Sequence, residues 1–257
     1  MKREIAAKQQ VRPAHELPSG KLRVTMSNAL IRAAHNLSLS EKRVLSFAIA
    51  SLDVFKRHGG AETGMVKLSA HRYAEEFGVD LNTAYEQLQA SAESIITKQI
   101  SWWEEAKRGV KKKQINWLGA AEYYKGEGTV SLWFTPQIAP HLLQLKGRFT
   151  TYQLAQASAL RSVYSWRLLE LLSQYASTGW HQIALEEFHH ALGTSVTAQG
   201  NFKDCRMRVI EPAVKELREK DGWLIDWTPI KTGRKVTALR FEFKRDPQER
   251  LFEGDAP

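Results

Sequence analysis

The chain has 257 residues, 43% of them hydrophobic and 25% charged, which is enough apolar material for a true core and for one or two domains of roughly 100–200 residues. Its formal net charge of +9 favours an anionic partner, nucleic acid ahead of a membrane surface. No run approaches the ~20 consecutive apolar residues of a membrane-spanning helix; MKREIAAKQQVRPAHELPSGK lacks the apolar segment of a secretory signal; and the single cysteine, Cys205, excludes an internal disulfide and suits a reducing cytoplasm.

Residues 1–24 read as a flexible basic arm. From Ser38 the pattern turns helical: Val44, Leu45, Ala48, Ile49 and Leu52 form one stripe, with Ser38 or Ser40 as N-cap. HGGAETG ends that helix, and MVKL is a short strand. SAHRYAEEFGVD predicts a short helix capped by Ser69 and stopped at Gly78. LNTAYEQLQASAESIITKQI predicts a longer one, striped by Leu81, Tyr85, Leu88, Ala92 and Ile95. ISWW and QINWLGAAEY read as strands around the basic turn KRGVKKK, and TVSLWFT as another strand. Residues 135–161 join this half to the next.

The second half runs in the same order. SVYSWRLLELLSQYAS is a helix, WHQIAL a strand, and EEFHHALG a short helix ending at Gly193. After a loop, TSVTAQG, the stretch NFKDCRMRVIEPAVKELREK reads as one helix with Phe202, Val209, Ile210, Ala213, Val214 and Leu217 on its apolar face. Pro212 inside it predicts a kink. WLIDWTP and KVTALRFEF are strands joined by the basic turn IKTGRK. Gly78 to Ile95 and Gly193 to Ile210 have the same spacing. The expected fold is therefore α+β: two winged helix-turn-helix domains in tandem, over residues 25–134 and 162–245, with pseudo-two-fold internal duplication and a flexible tail at 246–257.

Three phrases carry a resemblance. NLSLSEKRVLSFAIASLD, with its acidic-Lys-Arg triplet, RFTTYQLAQASALRSVYSWRLLELLSQY and NFKDCRMRVIEPAVKELREK stand in the order found in iteron-binding plasmid replication initiators of the Rep_3 type. The chain resembles that family from about Val24 to Arg245. Leu169 departs from it, since many members have Tyr there. The resemblance implies binding of double-stranded DNA at repeated origin sequences, origin opening, recruitment of the host replication initiator and replicative helicase, repression of the protein's own promoter, a monomer–dimer equilibrium, and residence on plasmid DNA in the bacterial cytoplasm.

In a helix-turn-helix the second helix enters the major groove with its N-terminal residues on base edges. Arg206, Met207 and Arg208 match the basic part of the family's C-terminal recognition helix, and Lys203 lies beside them. Arginine suits a bidentate contact to guanine O6 and N7; the plain alternative is a solvated basic face. Lys107, Arg108, Lys111, Lys112 and Lys113 surround Gly109, and Lys231, Arg234 and Lys235 surround Gly233. Both sets suit phosphate or minor-groove contact at hairpin tips. The longer helix of the first half offers Asn82, Thr83 and Gln87 as weaker polar contacts.

Six of the eight tryptophans (102, 103, 117, 133, 223 and 227) fall on predicted strands, where packing is favoured over base stacking. His189 and His190, with one cysteine and no metal-ligand spacing, do not make a metal site, and no cofactor is expected. A nicking initiator would need a His-hydrophobic-His pair, and an ATPase a complete phosphate-binding loop. Neither is present, so no enzymatic activity is expected. A tandem winged-helix transcriptional repressor is the alternative reading. A membrane-surface protein would need a basic amphipathic helix with exposed aromatic residues, and the basic residues lie on turns instead.

Overall fold

A computed structural model describes residues 20–57, 64–124, 126–144 and 148–245. The first strand, β1 (Arg23–Ser27), leads into a one-turn helix α1 (Asn28–Arg32) and the long helix α2 (Leu39–Arg57). Ser38 is the cap of α2. Its hydroxyl accepts from Glu41 N, and Glu41 Oε2 accepts from Ser38 N at 2.6 Å, a reciprocal capping box. Then follow β2 (Met65–Ser69), α3 (Ala70–Phe77), α4 (Leu81–Ile95), β3 (Gln99–Ala106), β4 (Gly109–Asn116), β5 (Leu118–Tyr124) and β6 (Thr129–Phe134).

The joining segment is structured. A π turn (Pro140–Gln144) leads to β7 (Phe149–Gln153), which pairs antiparallel with β1, and then to α5 (Leu154–Ser158). The part of the expected N-terminal arm from Arg23 onward is thus a strand; residues 1–19, and the tail from 246, lie outside the described residues. The second half runs α6 (Val163–Ser173), β8 (Trp180–Ala184), α7 (Leu185–Leu192), α8 (Val196–Gly200), α9 (Phe202–Cys205), a π segment (Arg206–Ile210), α10 (Glu211–Asp221), β9 (Trp223–Thr232) and β10 (Lys235–Arg245).

Two antiparallel three-stranded sheets express the duplication, ordered β2-β6-β5 and β8-β10-β9. The corresponding helices are α2 with α6, α3 with α7, and α4 with the run from α9 to α10. Gly78 and Gly193 both close their short helices in the left-handed conformation, each with φ of 62°.

Several expectations are corrected. QINWLGAAEY is not one strand; it divides at Trp117 into β4 and β5, and among the described strands β3 pairs with β4 alone, with one further bridge from its Ser101 to Ala34. The basic hairpin β3–β4 is therefore an insertion, and the wing of the first domain is β5–β6, which turns through Gly126, Glu127 and Gly128. The expected loop TSVTAQG contains α8, so the second domain's long helix starts at Phe202 while α4 starts soon after Gly78. Ile95 ends α4 but Ile210 lies mid-helix, so their equal spacing marks no structural equivalence.

One hydrophobic core runs through both halves. Helix α6 is buried on every side from Ser165 to Leu172, including Arg167 and Glu170. Such buried charges must be paired. Lys42 Nζ donates to both Glu170 oxygens at 2.7 and 2.8 Å, and the Tyr152 hydroxyl donates to Glu170 at 2.7 Å while accepting from Trp166 Nε1 at 2.9 Å. Arg167 donates to the Ala33 and His35 carbonyls. The triplet Glu41-Lys42-Arg43 therefore anchors α2 at three places: Glu41 to Lys98, Lys42 to α6, and Arg43 to the carbonyls of Ser158 and Leu160.

Candidate nucleic-acid interface

The run from Phe202 to Asp221 is continuous, and Asn201 caps it by accepting from Lys203 N at 2.9 Å. Cys205, Val209, Ile210, Ala213, Val214 and Leu217 are buried; Lys203, Arg206, Met207 and Arg208 are exposed. Pro212 lacks an N–H, and its ring would strike the Arg208 carbonyl in a regular α-helix. The chain answers with the π segment, in which Glu211 N–H bonds the Arg206 carbonyl. The predicted kink is thus resolved as a bulge. Within the π segment three consecutive side chains, 206 to 208, face solvent, and Val209 and Ile210 face the core.

Both arginines have carboxylate partners. Arg206 Nε lies 2.6 Å from Glu211 Oε1, and Arg208 Nε lies 3.6 Å from Asp204 Oδ1. These acids offset the cost of cations near a helix N-terminus. Beneath them, burial pushes the Cys205 thiol up to about 11. The sequence reading missed both acids. The Asp204–Arg208 spacing of four is legible in a helix, whereas the Arg206–Glu211 spacing of five becomes a contact only in the π turn. It also missed α8, whose Val196 is 85% exposed at the approach to the long helix.

The wing of the second domain reverses through Gly233 and Arg234, between the paired residues Thr232 and Lys235, with Gly233 at φ of 62°. Lys231, Arg234 and Lys235 are all exposed. In the β3–β4 hairpin, Lys107 and Arg108 form the turn before Gly109. Lys113 lies 2.8 Å from Glu104 and over the Trp102 ring, and Lys111 lies 3.5 Å from the same carboxylate. The hydrogen bond from Lys113, outweighing partial desolvation and helped by one from Trp102, lowers Glu104 to about 2. Among the described residues Lys107, Arg108 and Lys112 form no ion pair. Burial first, then the charge of Arg167, lowers the His190 pKa against a smaller opposing pull from the Ser101 backbone, with Lys112 adding to the lowering. Trp103, predicted to pack, is instead 59% exposed beside Lys112.

The first domain's equivalent face is less cationic. Asp80 caps α4, binding Thr83 through both its N–H and its hydroxyl. Gln87 Oε1 accepts from the buried Tyr73 hydroxyl at 3.0 Å. Asn82 is exposed and lines a cleft with Leu81, Glu86 and the wing residues Gly126, Glu127 and Gly128. Ser69 stands at the cap position of α3, but its hydroxyl is not used; the Gly128 carbonyl takes the Ala70 N–H at 2.8 Å.

Two winged helices, one with an exposed cationic helix and wing, define a tandem winged-helix DNA-binding protein. The models "Initiator Replication protein, WH1" and "Initiator Rep protein, WH2" match residues 23–173 and 184–243 in that order, and the chain belongs to this family of replication initiators. The PI protein of Escherichia coli is 27% identical over 264 residues, covering 91% of this chain and 86% of that protein. An uncharacterized 27.6 kDa protein of Escherichia coli is 24% identical over 229 residues, covering 85% and 94%. The crystal structure of the Pi initiator protein in complex with iteron DNA superimposes with a TM-score of 0.69 at 23% identity, covering 90% of this chain and 100% of that one.

Proposed function

We propose that this initiator binds repeated origin sequences (iterons) on double-stranded plasmid DNA, promotes opening of the origin and recruits the host initiator and replicative helicase, acting through binding alone and without making or breaking covalent bonds. The observation that carries this reading is the exposed Arg206-Met207-Arg208 face on the second domain's long helix, in a chain matched along both winged helices by initiator models. Arg206 contacts a base, Lys203, Arg208 and the wing cations Lys231, Arg234 and Lys235 hold phosphates, and the hairpin cations Lys107, Arg108, Lys111, Lys112 and Lys113 add sequence-independent attraction. Asn82, Thr83 and Gln87 contribute less, because two of the three already serve the fold. The site lies in the bacterial cytoplasm on plasmid DNA, a monomer–dimer equilibrium sets the binding species, and the protein represses its own promoter.

Footprinting on DNA flanking the reading frame tests this. Protected direct repeats are expected. A lone inverted repeat at the promoter would instead make the chain a repressor without a replication role. Supercoiled origin DNA incubated with Mg²⁺ or Mn²⁺ is expected to stay uncut, and nicking or a covalent protein–DNA adduct would overturn the non-enzymatic reading.

A further inference from the structure

In a regular α-helix, side chains meet at spacings of three and four; a spacing of five, at 3.6 residues per turn, lies about 140° around the cylinder. Arg206 and Glu211 meet only because the helix between them is a π turn, which stacks residue 211 over residue 206. Both the backbone and the side chain of Glu211 close onto residue 206: its N–H takes the Arg206 carbonyl and its Oε1 takes the Arg206 Nε–H at 2.6 Å. Arg208, by contrast, is 74% exposed in its side chain and 3.6 Å from its acid.

We propose that Glu211, set in place by the π turn ahead of Pro212, is a positioning residue for sequence recognition: it holds the Arg206 guanidinium by Nε and leaves the two terminal nitrogens for guanine O6 and N7. This rests on Arg206 being a base-contacting side chain. A guanidinium fixed by one edge loses less freedom when the other edge meets its base. The carboxylate also opposes random binding, because a backbone-only complex brings it toward phosphate with no base contact in return. Specificity is thus raised from both sides.

The test measures affinity for the footprinted repeat, for that repeat with single base changes, and for random duplex. Glu211→Ala is expected to tighten random binding severalfold without tightening specific binding, so that the ratio falls roughly tenfold. The loss of discrimination should concentrate at one base pair, the one at which Arg206→Ala also loses it. Glu211→Gln, whose Oε1 still accepts from Nε, should keep that discrimination while random binding tightens as in the alanine variant. If Glu211→Ala tightens specific and random binding by one factor and leaves base discrimination intact, Glu211 is only a repulsive charge and the proposal fails, with the base-reading role of Arg206 untouched. If Arg206→Ala leaves discrimination unchanged at every position, the base-reading role itself fails and takes the proposal with it.

Discussion

At the scale of single residues, equal formal charges are not equal in effect. Lys113 is held by Glu104 and by the Trp102 ring, and Lys111 shares that carboxylate, while Lys112 projects with no ion pair among the described residues. Lys112→Ala is therefore expected to weaken binding to specific and random DNA alike and to flatten the slope of log K against log salt by about 0.9, one phosphate's share. Lys113→Ala is expected to change the salt slope less and the melting temperature more. Affinities at several salt concentrations, with thermal unfolding of both variants, separate the two roles. For the recognition helix, Arg206→Ala is expected to cost about 1–3 kcal/mol on the specific site and relax preference at one base pair. Arg208→Ala should lower specific and random binding together. A composition of this kind shows in the sequence as a cluster of cations; which members are already engaged is decided by cross-strand pairing, which the sequence does not display.

At the scale of elements, capping separates what is local from what is not. Asp80 and Asn201 cap their helices with their own side chains, while Ser69, with an equally good capping residue type, makes no cap bond, and the Gly128 carbonyl across the wing takes only the first N–H of α3, that of Ala70. In urea unfolding, Asp80→Ala is expected to lower the midpoint measurably and Ser69→Ala to leave it nearly unchanged. The longer helices (α2, α3, α4, α6, α7 and the run from Phe202), the Gly stops at 78 and 193 and the second hairpin were legible because each is written in neighbouring residues, whereas the single turns α1, α5 and α8 were not. The first hairpin was misassigned as a wing for the opposite reason. Residues 114–123 alternate like one strand, and nothing local says that the chain changes sheets at Trp117, where β4 leaves β3 behind and β5 joins β6. The π segment was hidden similarly: Pro212 announced a disturbance, but whether it appears as a kink or a bulge depends on the buried anchors Val209, Ile210, Ala213 and Val214 that keep the helix in one groove.

At the scale of the whole molecule, two of the phrases that carry the family resemblance meet at the buried joint between α2 and α6. Lys42 of the acidic-Lys-Arg triplet meets Glu170 of the Glu-Leu-Leu helix, and Arg167 of the Tyr-Ser-x-Arg-Leu phrase meets the Ala33 and His35 carbonyls. The joint carries a pH dependence. Burial first, then the charges of Arg167, Lys42 and Lys98, hold His35 well below its ordinary 6.5, and burial likewise lowers His141, His181, His189 and His190. Each takes up a proton less readily when folded than when unfolded. Their contribution is thus fully present above about pH 6.5 and is lost as pH falls below it. Urea unfolding from pH 7.5 down to pH 5 is expected to show falling stability, with a flatter slope in His35→Gln; an unchanged slope would mean that His35 is not desolvated as described.

The ion pair itself is the firmer handle on how α2 and α6 are held together, because its two members come from those two helices. Lys42 and Glu170 expose only 3% and 2% of their side chains, and removing one partner strands the other in a dry interior. Lys42→Ala is expected to cost about 3–5 kcal/mol. The double variant Lys42→Met with Glu170→Gln should recover part of that loss, since neither member of the pair is left charged without the other, the amide can still accept from the Tyr152 hydroxyl, and Arg167 keeps the Ala33 and His35 carbonyls. The coupling extends to function through geometry: α6 leads directly into β8 of the second winged helix, and covalently joined readers meet adjacent stretches of one duplex only if their spacing is fixed. Lys42→Ala is therefore expected to weaken binding to the full repeat more than to random DNA, even below its unfolding temperature, and the double variant to restore much of the difference. Parallel urea titrations and binding curves on both DNAs decide it. Loss of stability with an unchanged specific-to-random ratio would mean that the pair holds the core together but does not set the spacing of the two winged helices.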